Sequence, residues 1–197
     1  DALGLRDQTL VIFSSDNGGH TYSRNAPMRD FKGTIWEGGV RVPCVARWPG
    51  VRPAGTTTSQ VAVTMDWTAT FRRLAGLKRD PAGEDGIDLM PLLTGKEPAL
   101  ERTLFWRRTN RRGGKDVAEG RAVRHGRWKL IEEADGERDL FDLAEDVGET
   151  RNLIQQKPEL AEKLRLHKST THRLIMVLES SRYVERDNAN SKYLLGS

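Results

Sequence analysis

"TLVIFSSDNGGH", residues Thr9 to His20, is the stretch on which the fold turns. Its first half, Leu10 to Phe13, is a continuous apolar run of strand formers. That is the pattern of a strand buried on both faces, as in the sheets of α/β proteins. Its second half delivers an acid, an amide and two glycines to the strand's carboxyl end. Ligands of α/β folds gather at that end, because the loops that follow the strands converge there on a rigid platform. Asp16 and Asn17 offer a carboxylate and an amide oxygen, the hard donors that Ca²⁺ or Mg²⁺ prefers, while Gly18 and Gly19 let the backbone bend away closely. Asp-Asn and Asn-Gly runs are also the commonest turn formers, and the local pattern alone favours a plain turn. Two oxygen donors, moreover, fall well short of a calcium shell of six or more ligands.

Working outward, "DALGLRD" reads as the last turn of a helix stopped at Gly4, an α-to-β step entered midway. Ser14 to Lys32 has no periodicity and forms a long loop of the kind that carries function. "VRVPCVARW", Val40 to Trp48, alternates, with Val40, Val42, Cys44, Ala46 and Trp48 on one inward face; Pro43 places this second strand near an edge. "DWTATFRRLAG" is a short helix with Asp66 as N-cap, an apolar side of Trp67, Phe71, Leu74 and Ala75, and Gly76 as its stop. Leu77 to Pro98 is Gly- and Pro-punctuated loop with one apolar clasp, Leu89 to Leu93. From Thr103 to Leu143 short β-like runs, "TLFW", "RAVR", "WKLIEE" and "DLFDL", predict a small antiparallel sheet with a tight hairpin at His125-Gly126. "PELAEKLRLH" predicts a helix with Pro158 in its first turn and Leu160, Ala161 and Leu164 inward. The remaining residues hold one weak helical stripe, Leu174 to Leu178, and a polar tail.

The chain has 197 residues, 37% hydrophobic and 30% charged, with five Trp, which fits a globular protein with a real core and excludes a disordered tail. No run is long enough to span a membrane. A net charge of +4 leaves room for phosphate, sulfate or a polyanion as partner without choosing among them. The single cysteine, Cys44, excludes an internal disulfide and a Cys-based zinc site. A start at Asp1 with neither Met nor a signal peptide is expected of a piece of a longer protein.

The run "NAPMRDFKGTIWEGGVRVPCVARWPG", Asn25 to Gly50, gives the opening stretch its weight. Taken with "SSDNGG", it closely resembles the carboxyl-terminal half of the type I sulfatases, the arylsulfatase family within the alkaline-phosphatase-like superfamily. Further blocks continue in order. "DWTATFRRLAG" resembles that family's aspartate-and-threonine helix, "DGIDLMPLLTG" its Asp-Gly-x-x-Leu-x-Pro-Leu-Leu-x-Gly segment, "RAVRHGRWKLI" its Val-Arg-x-Gly-x-Trp-Lys hairpin, and "DLFDLAEDVGETRNL" its closing strand. The resemblance runs from Leu3 to about Leu166.

It implies an α/β fold. Residues 1–100 would be the carboxyl-terminal part of the main α/β domain, the edge of a partial alkaline-phosphatase-like sandwich. Residues 101–166 would be a small antiparallel-sheet subdomain with a packed helix, and 167–197 a weakly helical or disordered tail. It implies a sulfuric ester hydrolase in which Asp16 and Asn17 ligate Ca²⁺ and Lys32, of the Lys-Gly-Thr run, binds the sulfate. An ammonium suits that task, offering three donors and a point charge to an anion whose charge grows toward the leaving oxygen. His20 follows the metal pair as a candidate substrate contact, against the reading of an exposed loop histidine. Glu37 is expected to anchor the loop rather than perform chemistry. Arg24 and Arg29 either add positive potential or pair with Asp30 and Glu37.

The family's nucleophile, a formylglycine made in a Cys/Ser-x-Pro-Ser-Arg setting, has no counterpart here. Cys44 has Ala46 where the motif wants Pro and Trp48 where it wants Arg, so it is rejected. The amino-terminal half of the family, with its further acidic metal ligands, is also unmatched, and the chain is expected to be inactive alone. Expected partners are a sulfate ester, aryl or sugar, and the missing half of the fold, with neither membrane nor nucleic acid. Relatives that are exported to the periplasm, the outside or the lysosome suggest the same here, through a signal outside this chain. Two alternatives stay open: phosphate or phosphonate ester hydrolysis, and a polyanion-binding module on the basic run Trp106 to Lys115, with Trp106 stacking on a ring.

Overall fold

The computed structural model describes residues 2–51, 54–79, 85–112, 115–164, 184–187 and 192–195. The chain divides into two compact units, Asp1–Leu164 and Arg165–Ser197.

In the first unit the opening strand β1 (Val11–Ser14) pairs antiparallel with β2 (Cys44–Arg47), Val11 opposite Arg47 and Ser14 opposite Cys44. The apolar run is a strand, but it is not covered: Phe13 is 67% exposed, and Val11 and Val45 are exposed with it. The second strand is shorter than its alternation predicts. Val40 closes a one-turn helix α1 (Glu37–Val40), and pairing begins only after Pro43. Cys44, expected to face inward, is exposed, because among the described residues nothing covers β2 and all four of its residues are exposed. Ahead of β1, Arg6–Gln8 form a 3-10 turn after Gly4, where a helix end stopping at Gly4 is expected.

Helix α2 (Thr64–Leu74) starts two residues before Asp66, with Val63 as its N-cap. Asp66 is therefore in the first turn and not the cap. Its carboxylate accepts the Val63 and Ile87 amides at 2.7 and 2.9 Å and both oxygens meet Arg102 Nη1 at 2.8 Å. Thr70 continues the same seam, donating to the Asp66 carbonyl and accepting the Leu89 amide. This polar seam turns Asp66, Ala69 and Thr70 inward and leaves Phe71 and Leu74 exposed with Trp67 half-buried, a buried side offset by about one residue, ~100°, from the one that the apolar pattern selects. A buried carboxylate needs its acceptor sites filled, and here that requirement orients the helix. The apolar clasp is one helical turn, α3 (Met90–Leu93), entered through buried Leu89.

The predicted small sheet is a four-stranded antiparallel meander, β3 (Thr103–Arg112), β4 (Lys115–His125), β5 (Trp128–Glu132) and β6 (Arg138–Asp142), in that order. Gly126 (φ 55°) and Arg127 make the two-residue turn between His125 and its partner Trp128. The basic run is strand rather than loop: Trp106 to Arg112 lie in β3 and Lys115 opens β4. Trp106 packs against the core instead of presenting a free ring, and Arg108 pairs with Glu133.

Period-two alternation gives the sheet two buried faces. On one, Trp106, Ala122, Ile131 and Phe141 meet Ile35 and Trp36, which come from the loop before α1. On the other, Val123, Leu130 and Leu140 are buried, and α4 (Pro158–Leu164), with Ala161 and Leu164 inward, lies against β4. In the second unit β7 (Val184–Asp187) pairs antiparallel with β8 (Lys192–Leu195). The stripe Leu174 to Leu178 lies outside the described residues. Among the described residues the chain is mixed α/β, with two two-stranded pairs, a four-stranded antiparallel sheet and few helices.

Candidate functional site

Asp16 and Asn17 follow β1 after Ser15, Asp16 exposed and Asn17 half-buried. The turn after them is held by backbone pairing to the second conspicuous loop. The Gly18 amide donates to the Gly39 carbonyl at 2.9 Å, and the Lys32 amide donates to the Gly19 carbonyl at 2.8 Å. The approach is so close that a β-carbon on Gly18 would collide with the Gly38 carbonyl, and one on Gly38 with the carbonyls of Arg29 and Asp30. Glycine is required at these positions for space. Asn25 adds a strut, its amide donating to the Gly19 and Asp30 carbonyls. The structure thus brings together the strand end bearing Asp16 and Asn17 and the loop bearing Lys32, whose side chain is exposed. His20 is exposed beside them, its Nδ1 2.8 Å from the Thr21 hydroxyl and its ring stacked on Tyr22.

A carboxylate and an amide oxygen on adjacent residues of an exposed strand end fit a hard divalent cation as part of a shell. Among the described residues no group of three or more His, Cys, Asp and Glu converges, so the pair is at most one corner of such a site.

Behind this corner lies a buried ionic cluster that motif reading did not find. Lys129 of β5, with no exposed surface, bridges Glu37 Oε1 at 2.9 Å and Glu149 Oε1 at 2.8 Å. Glu149 Oε2 accepts the Glu37 amide at 2.6 Å, and Arg124 of β4 stands 3.8 Å from Glu37 Oε2. Glu37 therefore anchors its loop, as expected of it. Arg29 pairs with neither acid in the way considered from sequence. It donates to the Glu149 carbonyl at 3.2 Å and lies over the Trp36 ring at 3.6 Å. Burial pushes the Glu149 carboxyl above the ordinary carboxylate range against the pull of Lys129, and burial likewise lowers Arg124 against the pull of Glu37. The sequence signals for this cluster are the Arg124 and Lys129 of the Val-Arg-x-Gly-x-Trp-Lys block, the latter a lysine inside the apolar run "WKLI".

The fold so assembled is of the alkaline-phosphatase-like class to which sulfatases and phosphonate hydrolases belong. Residues 30–175 match the family described as N-sulphoglucosamine sulphohydrolase, C-terminal, and the chain belongs to that sulfatase family. It is 34% identical over 186 residues to arylsulfatase A of Bos taurus, covering 81% of this chain and 36% of the relative. Among solved structures it resembles Ps i-CgsB in complex with k-i-k-neocarrahexaose (TM-score 0.71, 25% identity, 87% of this chain and 42% of the other). It also resembles the phosphonate monoester hydrolase of Agrobacterium radiobacter (TM-score 0.66, 25% identity, 100% of this chain and 40% of the other). The chain spans well under half the length of each of these relatives.

Proposed function

We propose that this chain is the carboxyl-terminal part of a sulfuric ester hydrolase acting on aryl or sugar sulfates. In this reading it contributes one corner of a calcium site and the lysine that holds the sulfate. The observation that carries the reading is the double backbone pairing, Gly18 to Gly39 and Lys32 to Gly19, which joins the Asp16-Asn17 strand end to the Lys32 loop. Asp16 and Asn17 would give Ca²⁺ two oxygen ligands, the others coming from the rest of the fold. Bound there, the ion would offset negative charge on the sulfate and its attacker. Lys32 orients the anion and stabilises charge developing on its oxygens, and its exposed side chain is free to do so. His20 stands at the mouth of the same corner as a contact to the esterified group. The polyanion alternative loses the free ring at Trp106, which is packed, and the free charge at Arg108, which is paired, while the side chains of Arg111, Arg112 and Lys115 lie outside the described residues.

A second reading, phosphonate ester hydrolysis, is favoured by one observation: the phosphonate monoester hydrolase structure matches across the full chain. The experiment compares this chain with the protein translated together with its upstream reading frame. The longer protein is expected to contain a Cys/Ser-x-Pro-Ser-Arg block and to hydrolyse an aryl sulfate with Ca²⁺. Lys32→Ala is expected to lower kcat/KM by roughly two to three orders of magnitude, and the short chain to show negligible turnover. Turnover of a phosphonate monoester with none of sulfate would install the second reading. Ca²⁺-dependent sulfate hydrolysis by the purified short chain would refute its incompleteness.

A further inference from the structure

We propose that Lys129 and Glu149 are positioning residues for the anion- and cation-binding corner, acting as a charge-balanced clamp on the loop that carries Lys32. The proposal rests on the reading of Asp16, Asn17 and Lys32 given above and adds two residues that touch none of them.

The geometry is that of a loop held at both ends by one residue. The Glu149 carboxylate takes the Glu37 amide, and the Glu149 carbonyl takes the Arg29 guanidinium. Lys32 lies between these two grips. The Gly38 amide then donates to the Arg29 carbonyl at 2.7 Å, closing the segment on itself, and the next residue, Gly39, accepts Gly18 beside Asn17. Arg29 is steadied against Trp36, whose ring meets Phe141 of β6 edge-on at 5.6 Å. Each step from Glu149 to the candidate ligands is thus a hydrogen bond or a packed ring.

Two further observations mark Glu149 as placed for this purpose. Its backbone is in the left-handed region, φ 52°, which glycine rather than glutamate favours. The turn that imposes this conformation is held by Asp146, which accepts the Thr150 and Arg151 amides at 2.8 Å each. The charges also balance. Glu37 and Glu149 face Lys129 and Arg124, two of each sign, with Arg41 at the rim 3.6 Å from Glu37. Removing only the Lys129 charge leaves two buried carboxylates against Arg124 and the half-exposed Arg41 at the rim. Removing the Lys129 and Glu149 charges together takes one charge of each sign out of the cluster and leaves Glu37 with Arg124 beside it and Arg41 at the rim.

Amide hydrogen exchange on the full chain tests this without depending on turnover, so that a failed sulfatase reading and a failed clamp are separable. In Lys129→Met the Gly18 and Lys32 amides should exchange about tenfold faster or more, with the β5–β6 ladder as protected as in the unmodified chain. In Lys129→Met with Glu149→Gln they should return to within about threefold of the unmodified rates, because the pair is coupled through charge. If Lys129→Met alone unfolds the chain, recovery of Gly18 and Lys32 protection in the double variant upholds the clamp. Unchanged protection of Gly18 and Lys32 in Lys129→Met, or a double variant no better than the single one, overturns it.

Discussion

Glu149 shows how one residue's surroundings set its chemistry. Its carboxyl is held above the ordinary range chiefly by burial, while Lys129 of β5 and Arg124 of β4 pull it down and Glu37 of α1 pushes it up. The unfolded chain ionises this group at lower pH than the folded one does. Its contribution to stability is therefore complete below the ordinary glutamate value and is lost as pH rises through the raised value. The unfolding free energy of the unmodified chain minus that of Glu149→Gln should fall as pH climbs through this window. Denaturant titrations at several pH values measure it, and a difference that rises instead would contradict the assignment. Asp142 is the opposite case: its bidentate pairing with Arg127 holds its carboxyl below the usual range, so its stabilisation is lost only as pH falls through the depressed value. Neither residue is distinguishable in the sequence from any surface acid. What separates them is which side of a strand or turn meets a cation, and how much water is left there.

Among the elements, the four-stranded sheet is the platform and the segment Thr34–Gly39 its cargo. Ile35 and Trp36 fill the face made by Ala122, Ile131 and Phe141, and Gly120 is confined on that face by Ile35, whose Cδ1 would stand 2.9 Å from an added β-carbon. The docking of two apolar side chains thus fixes where Glu37 enters the ionic cluster, five residues after Lys32. Trp36→Ala should cost about 3–5 kcal/mol of stability, the usual range for emptying a large aromatic site in a packed core. It should also loosen Gly18 and Lys32 in the same exchange experiment. A shift in denaturation midpoint equivalent to less than about 1 kcal/mol would mean that the ring is peripheral to the core. Sequence reading supplied the strands and the hairpin of this sheet, because alternation and turn chemistry are local. It misplaced the buried side of α2, because an apolar stripe says which side dislikes water and not which side this chain covers. Asp66, with its four acceptor contacts, decided that instead.

For the molecule as a whole, the uncovered surfaces are informative. Val11, Phe13 and Val45 on the β1–β2 pair, and Phe71 and Leu74 on α2, are all exposed in a chain that spans 36% of arylsulfatase A. Large apolar residues on a two-stranded sheet favour association, since among the described residues the pair has unpaired edges and no covering layer. The isolated chain should bind a hydrophobic dye and self-associate as concentration rises. Phe13→Ser with Val45→Thr should reduce both effects, read by fluorescence and by sedimentation. A monodisperse, dye-silent chain at high concentration would show that these residues are covered in solution.

The sequence by itself determined the strand ending in Asp16-Asn17, the small antiparallel sheet, the position of its tight hairpin and the ordered blocks that mark a sulfatase. Each depends on spacing within a few residues or on a contiguous motif, which the chain order preserves. Only the tertiary structure decided that Cys44 is exposed, that Trp106 is core, and that Lys129 joins Glu37 and Glu149. Lys129 and Glu37 stand 92 positions apart along the chain, and Glu37 and Glu149, which also share a hydrogen bond, 112. Burial and long-range charge pairing depend on what the rest of the chain lays against a side chain, and no local pattern contains that information.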